Sequence, residues 1–222
     1  MEVFFHVYCR RDYQSIVRSK INKFKASGLW KEIKTLWIPV SGVREEDKEF
    51  LKTLKLYSPK IKVFEHQNPV FNNEPDTLNF MKIRAENFEE NVPMLYLHTK
   101  GVTYEHPILR KNVEAWVRYL DLWCIGHWKE CLKGLQEGNV AGGFLIDTEG
   151  EYPHYQGNFW WTNSHYIRTL PTLDKENIKP LERGEFWICS GENANPINVG
   201  YKPDIDLYQN YYCKEEDFIS GF

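Results

Sequence analysis

The sequence predicts an α/β fold in which a mainly parallel sheet is flanked by helices, and three observations lead there. Short apolar runs alternate with amphipathic stretches through the first half of the chain. The stretches are punctuated by stop signals such as Ser27-Gly28, Pro39 and Ser41-Gly42. At 222 residues, with no internal repeat or low-complexity linker, the chain suits one domain with a sizeable core.

Taken in order, Val3 to Tyr8 (VFFHVY) reads as a strand bounded by Arg10, Arg11 and Asp12. Ile16, Ile21 and Phe24 then recur at helical spacing up to Ser27-Gly28. Leu36 to Val40 is a second strand, Glu45 to Lys55 a helix carrying Phe50, Leu51 and Leu54, and Ile61 to Glu65 a third strand. Thr77 to Phe88 makes a third helix and Met94 to His98 a fourth strand. A β-α-β-α-β-α-β series is most economically satisfied by a parallel sheet with helices on both faces, a nucleotide-binding arrangement of the Rossmann kind. The second half is less regular. Val113 to Gln136 predicts one long or two broken helices, Val140 to Ile146 (VAGGFLI) a buried strand, Phe159 to Thr162 a short strand, and Ser164 to Leu170 a short helix ended by Pro171. The reading is a single domain, 1–222, with a nucleotide-binding half at 1–103 and a smaller acceptor and catalytic half at 104–222.

Composition narrows the function. Twenty-eight Lys and Arg against 31 Asp and Glu leave a net charge of −3, which gives no general attraction to nucleic acid or anionic lipid. No apolar stretch approaches the roughly 20 residues of a membrane span, and the first residues lack the features of a secretory signal, so the expected location is the cytoplasm. Five scattered cysteines, Cys9, Cys124, Cys131, Cys189 and Cys213, form no CxxC pair and are expected to be reduced. An aromatic content of 15% is high, and flat sugar rings or bases are common partners for aromatics that the core does not absorb.

In an open parallel sheet, ligands sit beyond the carboxyl ends of the strands. The fourth strand ends in His98, Thr99, Lys100 and Gly101, which places a cation, a hydroxyl and a flexible backbone together. Lys100 could neutralise a phosphate there, or the group could be a polar strand cap near solvent. No GxGxxG or GxxxxGK[ST] occurs. A second cluster, His154 to Trp161 (HYQGNFWW), joins a tight Gly157-Asn158 bend to two tryptophans. It reads either as a sugar-stacking surface or as a buried strand, and since strand neighbours face opposite ways one of Trp160 and Trp161 must point into the core. In the third cluster, Arg183 to Ser190 (RGEFWICS), Glu185 stands at the mouth of an apolar run. It is placed either for general-base work or as a solvated partner of Arg183. Asp204-Ile205-Asp206 has the Asp-x-Asp form of a divalent-cation motif but also suits a surface loop. The histidines lack HxH or HExxH spacing, which argues against a zinc hydrolase.

These clusters, in this order, resemble a family of single-domain glycosyltransferases of the GT-A fold type, found in bacterial surface-polysaccharide loci and in large DNA viruses of algae. The resemblance is carried by His6-Val7-Tyr8, Ser27-Gly28-Leu29, Glu74-Pro75 with Thr77-Leu78, the run Leu95 to Val102 (LYLHTKGV), Trp116 with Tyr119, His154 with Gly157 to Trp161, and Glu185 to Ile188. It implies transfer of a sugar from a nucleotide diphosphate donor to a glycan acceptor. Tyr8, Arg10, Glu74 and Thr77 would embrace the nucleoside, with His98, Thr99, Lys100 and Arg110 near the diphosphate. His154, Asn158, Trp160 and Trp161 would hold donor sugar or acceptor. Glu185 would be the catalytic base of an inverting displacement, which needs one carboxylate where glycoside hydrolases use a pair. The fold normally grips Mn²⁺ or Mg²⁺ with an Asp-x-Asp motif at the end of the fourth strand. His98-Thr99-Lys100 stands there instead, so Lys100, helped by Arg110, is expected to supply positive charge. Asp204 and Asp206 remain the candidates for a cation. The alternatives are a retaining transferase on the same fold and a non-catalytic module that binds a glycan or nucleotide sugar.

Overall fold

A computed structural model of the chain describes residues 1–65, 74–147, 152–173 and 184–200. The first half follows the expected alternation: β1 (Glu2–Tyr8), α1 (Tyr13–Ala26), the one-turn α2 (Leu29–Glu32), β2 (Thr35–Ser41), α3 (Lys48–Tyr57), β3 (Ile61–Glu65), α4 (Glu74–Glu86) and β4 (Pro93–His98). Helix α1 stops where read, because Gly28 takes a left-handed φ of +79° that a side chain would resist. The stretch from Val113 to Gln136 resolves as two helices. In it α5 (Pro107–Asp121) runs into a π-turn at Leu122–Gly126 and then α6 (Trp128–Glu137). Val140 to Ile146 is not one strand but two, β5 (Val140–Gly142) and β6 (Leu145–Ile146). Gly142 and Gly143 press against Tyr155 and Trp123, where an added Cβ would lie 2.6 and 2.5 Å from ring or side-chain carbons. The chain then forms β7 (His154–Tyr155), β8 (Trp160–Asn163), α7 (Ser164–Thr169), a 3₁₀ turn at Trp187–Cys189 and β9 (Pro196–Asn198).

Seven strands make one sheet in the order β3-β2-β1-β4-β8-β5-β9, while β6 and β7 form a separate hairpin pair. The pairs β3-β2, β2-β1, β1-β4 and β5-β9 are parallel, and β8 is antiparallel to both β4 and β5. The pairing of β4 with β8 carries the sheet across both halves of the chain.

Period-two alternation divides the core between the two faces of this sheet. Val3, Phe5 and Val7 of β1 with Leu95, Leu97 and Trp161 meet α1, α3, α5 and α6 on one face. Phe4, Met94, Tyr96 and Trp160 meet α4 and α7 on the other. The four described cysteines are buried and unpaired in disulfides, and Cys213 lies outside the described residues. One polar contact inside the core has no counterpart in the periodicity. Lys20 and Lys23 of α1 both donate to the buried carboxylate of Asp121, tying α1 to the end of α5. Among the described residues no helix is long and apolar enough to cross a membrane.

Candidate functional site

The chemistry-bearing residues gather at the carboxyl end of β4, where four segments far apart in sequence meet. Gly157 and Asn158 form the centre, both with positive φ (+90° and +58°), in the bend between β7 and β8. A Cβ on Gly157 would lie 2.7 Å from Leu120 and 3.1 Å from the Trp116 ring, so α5 packs directly onto the bend and only glycine fits. The Gly157 carbonyl accepts a hydrogen bond from His98 Nε2 at 3.1 Å, and its N–H donates to Glu185 Oε1 at 2.9 Å. Asn158 donates through Nδ2 to Glu74 Oε1 and accepts at Oδ1 from Trp160 Nε1 at 2.6 Å. The Tyr96 hydroxyl donates to the same Glu74 oxygen at 2.7 Å. A Cβ on Gly184 would stand 2.4 Å from Asn158 Nδ2 and 3.0 Å from Glu74 Oε1, so this glycine lets the turn bearing Glu185 close onto the cluster.

Lys100 completes the group with its ammonium 3.9 Å from the centroid of the Trp116 ring, a cation-π contact. Burial pushes its proton affinity down, and the carboxylates of Glu185 and Glu74 restore only part of it. His98 is likewise pushed below the ordinary imidazole value, first by burial, with Glu74 opposing and Lys100 adding to the shift. Burial pushes the Glu74 carboxyl up, but the fields of His98 and His6 and the hydrogen bonds from Tyr96 and Asn158 outweigh it. Glu74 therefore lies below the usual carboxylate value. Two acidic side chains, an imidazole and a lysine thus face one another across a backbone bend.

The structure separates the expected site residues into groups. Glu74, His98, Lys100, Asn158 and Glu185 are brought together. Glu185 does not precede a strand. It sits in a turn that leads into the 3₁₀ turn, because β9 begins only at Pro196. Tyr8 and Arg10 form their own group at the ends of β1 and β2. The Arg10 guanidinium lies 5.0 Å from the Tyr8 ring centroid and donates to the Gly42 carbonyl at 3.1 Å. Arg110 pairs with Asp12 and Glu114, and with Lys100 it lines a cleft of about 340 Å³ between α1 and α5.

Other expectations are corrected by burial. Thr77 is fully buried with its hydroxyl 2.8 Å from His6 Nδ1, and Thr99 is buried accepting from the Tyr8 N–H at 2.9 Å, so both hold strands and helix together and neither faces a ligand. Trp160 and Trp161 do point to opposite faces, yet both are 0% exposed and neither offers a ring to a sugar. Trp160 stacks on Tyr96 at 4.9 Å between centroids, and Trp161 donates to the Cys124 carbonyl at 2.8 Å. His154 is buried with Nδ1 donating to the Tyr152 carbonyl at 3.0 Å, and its ring lies 4.4 Å from that of Phe186. Tyr152, whose carbonyl meets His154, is 80% exposed.

Reading strand ends alone does not single out Tyr96, Gly184 or the Gly157 backbone as parts of the cluster. Alternation along LYLHTKG could have placed Tyr96 and His98 on one face, and the glycine before Glu185 hints at a close approach. A divalent cation is not fitted by the described residues, in which no group of three or more His, Cys, Asp or Glu side chains is arranged to hold one. Asp204 and Asp206 lie outside those residues, as do Arg183 and, after β3, His66 and Gln67. No protein-family model and no curated protein matches the chain.

Proposed function

We propose that the chain is a glycosyltransferase that moves a sugar from a nucleotide diphosphate donor to a glycan hydroxyl with inversion at the anomeric carbon. The observation that supports this reading is the convergence of Glu185, Glu74, His98 and Lys100 on the Gly157-Asn158 bend, from segments that carry the family resemblance. In this reading Glu185 is oriented by the Gly157 amide on Oε1 and takes the acceptor proton on Oε2 as the acceptor oxygen forms its bond to the anomeric carbon. The bond from that carbon to the diphosphate oxygen breaks in the same displacement, and the Lys100 ammonium meets the charge that develops on the leaving group. Glu74 accepts on Oε1 from Tyr96 and Asn158 and serves to hold the bend.

The test begins with a thermal-shift screen across UDP, GDP, dTDP and CMP sugars, since a donor at about 100 times its Kd stabilises the folded chain by about 2.7 kcal/mol. With the donor identified, Glu185→Gln should bind it as the parent does and turn over about 10² to 10⁴ times more slowly. Stabilisation by no sugar nucleotide would remove the reading. Donor binding without turnover by the parent chain would leave a binding module, and unchanged turnover in Glu185→Gln would take the base role from that residue.

A further inference from the structure

The net charge of −3 hides a strong segregation. Residues 23–34 and 52–62 together carry eight lysines and one acidic residue, Glu32. The topology brings these segments to one end of the sheet. Lys34 and Lys60 immediately precede the paired strands β2 and β3, and the Leu36 N–H donates to the Lys60 carbonyl at 2.9 Å. Helices α1 and α3 run back from the carboxyl ends of their strands, so their last turns, with Lys25 on α1 and Lys55 on α3, arrive at the same end.

Side-chain contacts join these pieces into one surface. The Lys25 ammonium lies 4.7 Å from the Tyr57 ring centroid and 6.0 Å from that of Trp30, and Lys60 lies 5.8 Å from the Trp30 ring. Trp30 and Tyr57 meet edge to face at 6.5 Å. Beside Tyr57, Leu56 is 78% exposed, among the most exposed large apolar side chains described. Glu32, between Lys31 and Lys34, is the one acidic side chain within these segments, and Glu2 at the start of β1 is buried.

We propose that this face, Lys25, Lys31, Lys34 and Lys60 around Leu56 and Tyr57, docks the protein on an anionic lipid bilayer. Clustered lysines gain from the negative potential of such a surface, while an aliphatic side chain among them enters the headgroup boundary. A protruding leucine separates this from a nucleic-acid face, where the aromatics would be open for stacking. Trp30 has Lys25 and Lys60 beside its ring, and Tyr57, 49% exposed, has the Lys25 ammonium over its ring, so neither presents a bare ring to a base. The candidate site lies at the opposite end of the strands, about 20 Å away across seven-residue strands, so docking would turn it towards the aqueous phase.

Co-sedimentation of the full chain with phosphatidylcholine vesicles, with and without phosphatidylglycerol, tests this. Binding should require the anionic lipid and be released as salt rises from about 50 to 500 mM. Lys31→Glu with Lys34→Glu should lower partitioning at least tenfold, and Leu56→Ser roughly threefold to tenfold. Lys48→Glu with Lys111→Glu makes the same change in net charge on exposed positions in the first turns of α3 and α5, at the opposite end of the sheet, and should leave partitioning within about twofold. Absence of vesicle binding, equal binding to neutral vesicles, or equal loss in both double variants would overturn the proposal. A duplex oligonucleotide that displaces the chain from vesicles at the same salt would assign the face to nucleic acid instead. All of these positions are exposed, so thermal melts of the variants should match the parent.

Discussion

Glu74 offers the sharpest test of how the site is held. Its Oε1 accepts from both the Tyr96 hydroxyl and the Asn158 amide, and those residues are 0% and 3% exposed while Glu74 is half-buried, so if the acceptor is lost only water admitted at the vacated position can replace it. Each buried donor left unsatisfied costs about 1 to 3 kcal/mol, so Glu74→Ala should cost about 2 to 6 kcal/mol, less what is regained by no longer burying a carboxylate. A loss of about 2 to 4 kcal/mol corresponds to roughly 5 to 15 °C in Tm for a chain of this size. Glu74→Gln keeps a carbonyl oxygen with two lone pairs where Oε1 stands, so it should lose no more than about 1 kcal/mol. Urea titration and thermal melts of the two variants beside the parent give the answer. A Tm for Glu74→Ala within about 2 °C of the parent, or equal losses in both variants, would refute the account of Glu74 as the shared acceptor.

Trp160→Ala and Trp161→Ala should each destabilise the fold by about 3 to 5 kcal/mol in urea titrations, because both rings are fully buried; a variant of either with unchanged stability but weakened ligand binding would restore the stacking role. His98 binds its proton less readily in the fold than in the unfolded chain, so the unfolded state takes up the extra proton and stability falls as pH drops below about 6.5. Glu74, held low, adds a further loss as pH falls through its folded value, and His98→Gln should flatten the first part of the decline in Tm between pH 8 and 5. An identical pH profile in that variant would show that His98 does not carry it. Lys100→Ala should weaken a nucleoside diphosphate at least tenfold more than the nucleoside, and the parent should keep activity in excess EDTA. Equal weakening of both ligands would reduce Lys100 to a packing partner of Trp116. Loss of activity in EDTA, restored by Mn²⁺ and abolished by Asp204→Asn or Asp206→Asn, would show a cation at work.

Much of the secondary structure was legible because it depends on local spacing. The seven elements read before Thr99 all occur, since apolar alternation and helical recurrence report which side of an element is buried. Three short elements, α2, β7 and β9, escaped because one to two turns of helix or two to three strand residues carry too little periodicity to stand out. Strand alternation also placed Trp160 and Trp161 on opposite faces, yet it could not say that helices cover both faces of β8; that depends on where α6 and α7 pack. Lys20 reads as a surface lysine on α1 until Asp121, a hundred residues later, provides its buried partner. The mainly parallel sheet and most members of the candidate cluster could be read along the chain, because residue type and local pattern are written there. Folding in three dimensions was needed to bring Glu74 and Glu185 to the Gly157-Asn158 bend, to bury Thr77 and Thr99, and to gather Lys25, Trp30, Tyr57 and Lys60. Each of these is a contact between segments distant along the chain, set by strand order and helix packing, which no local spacing encodes.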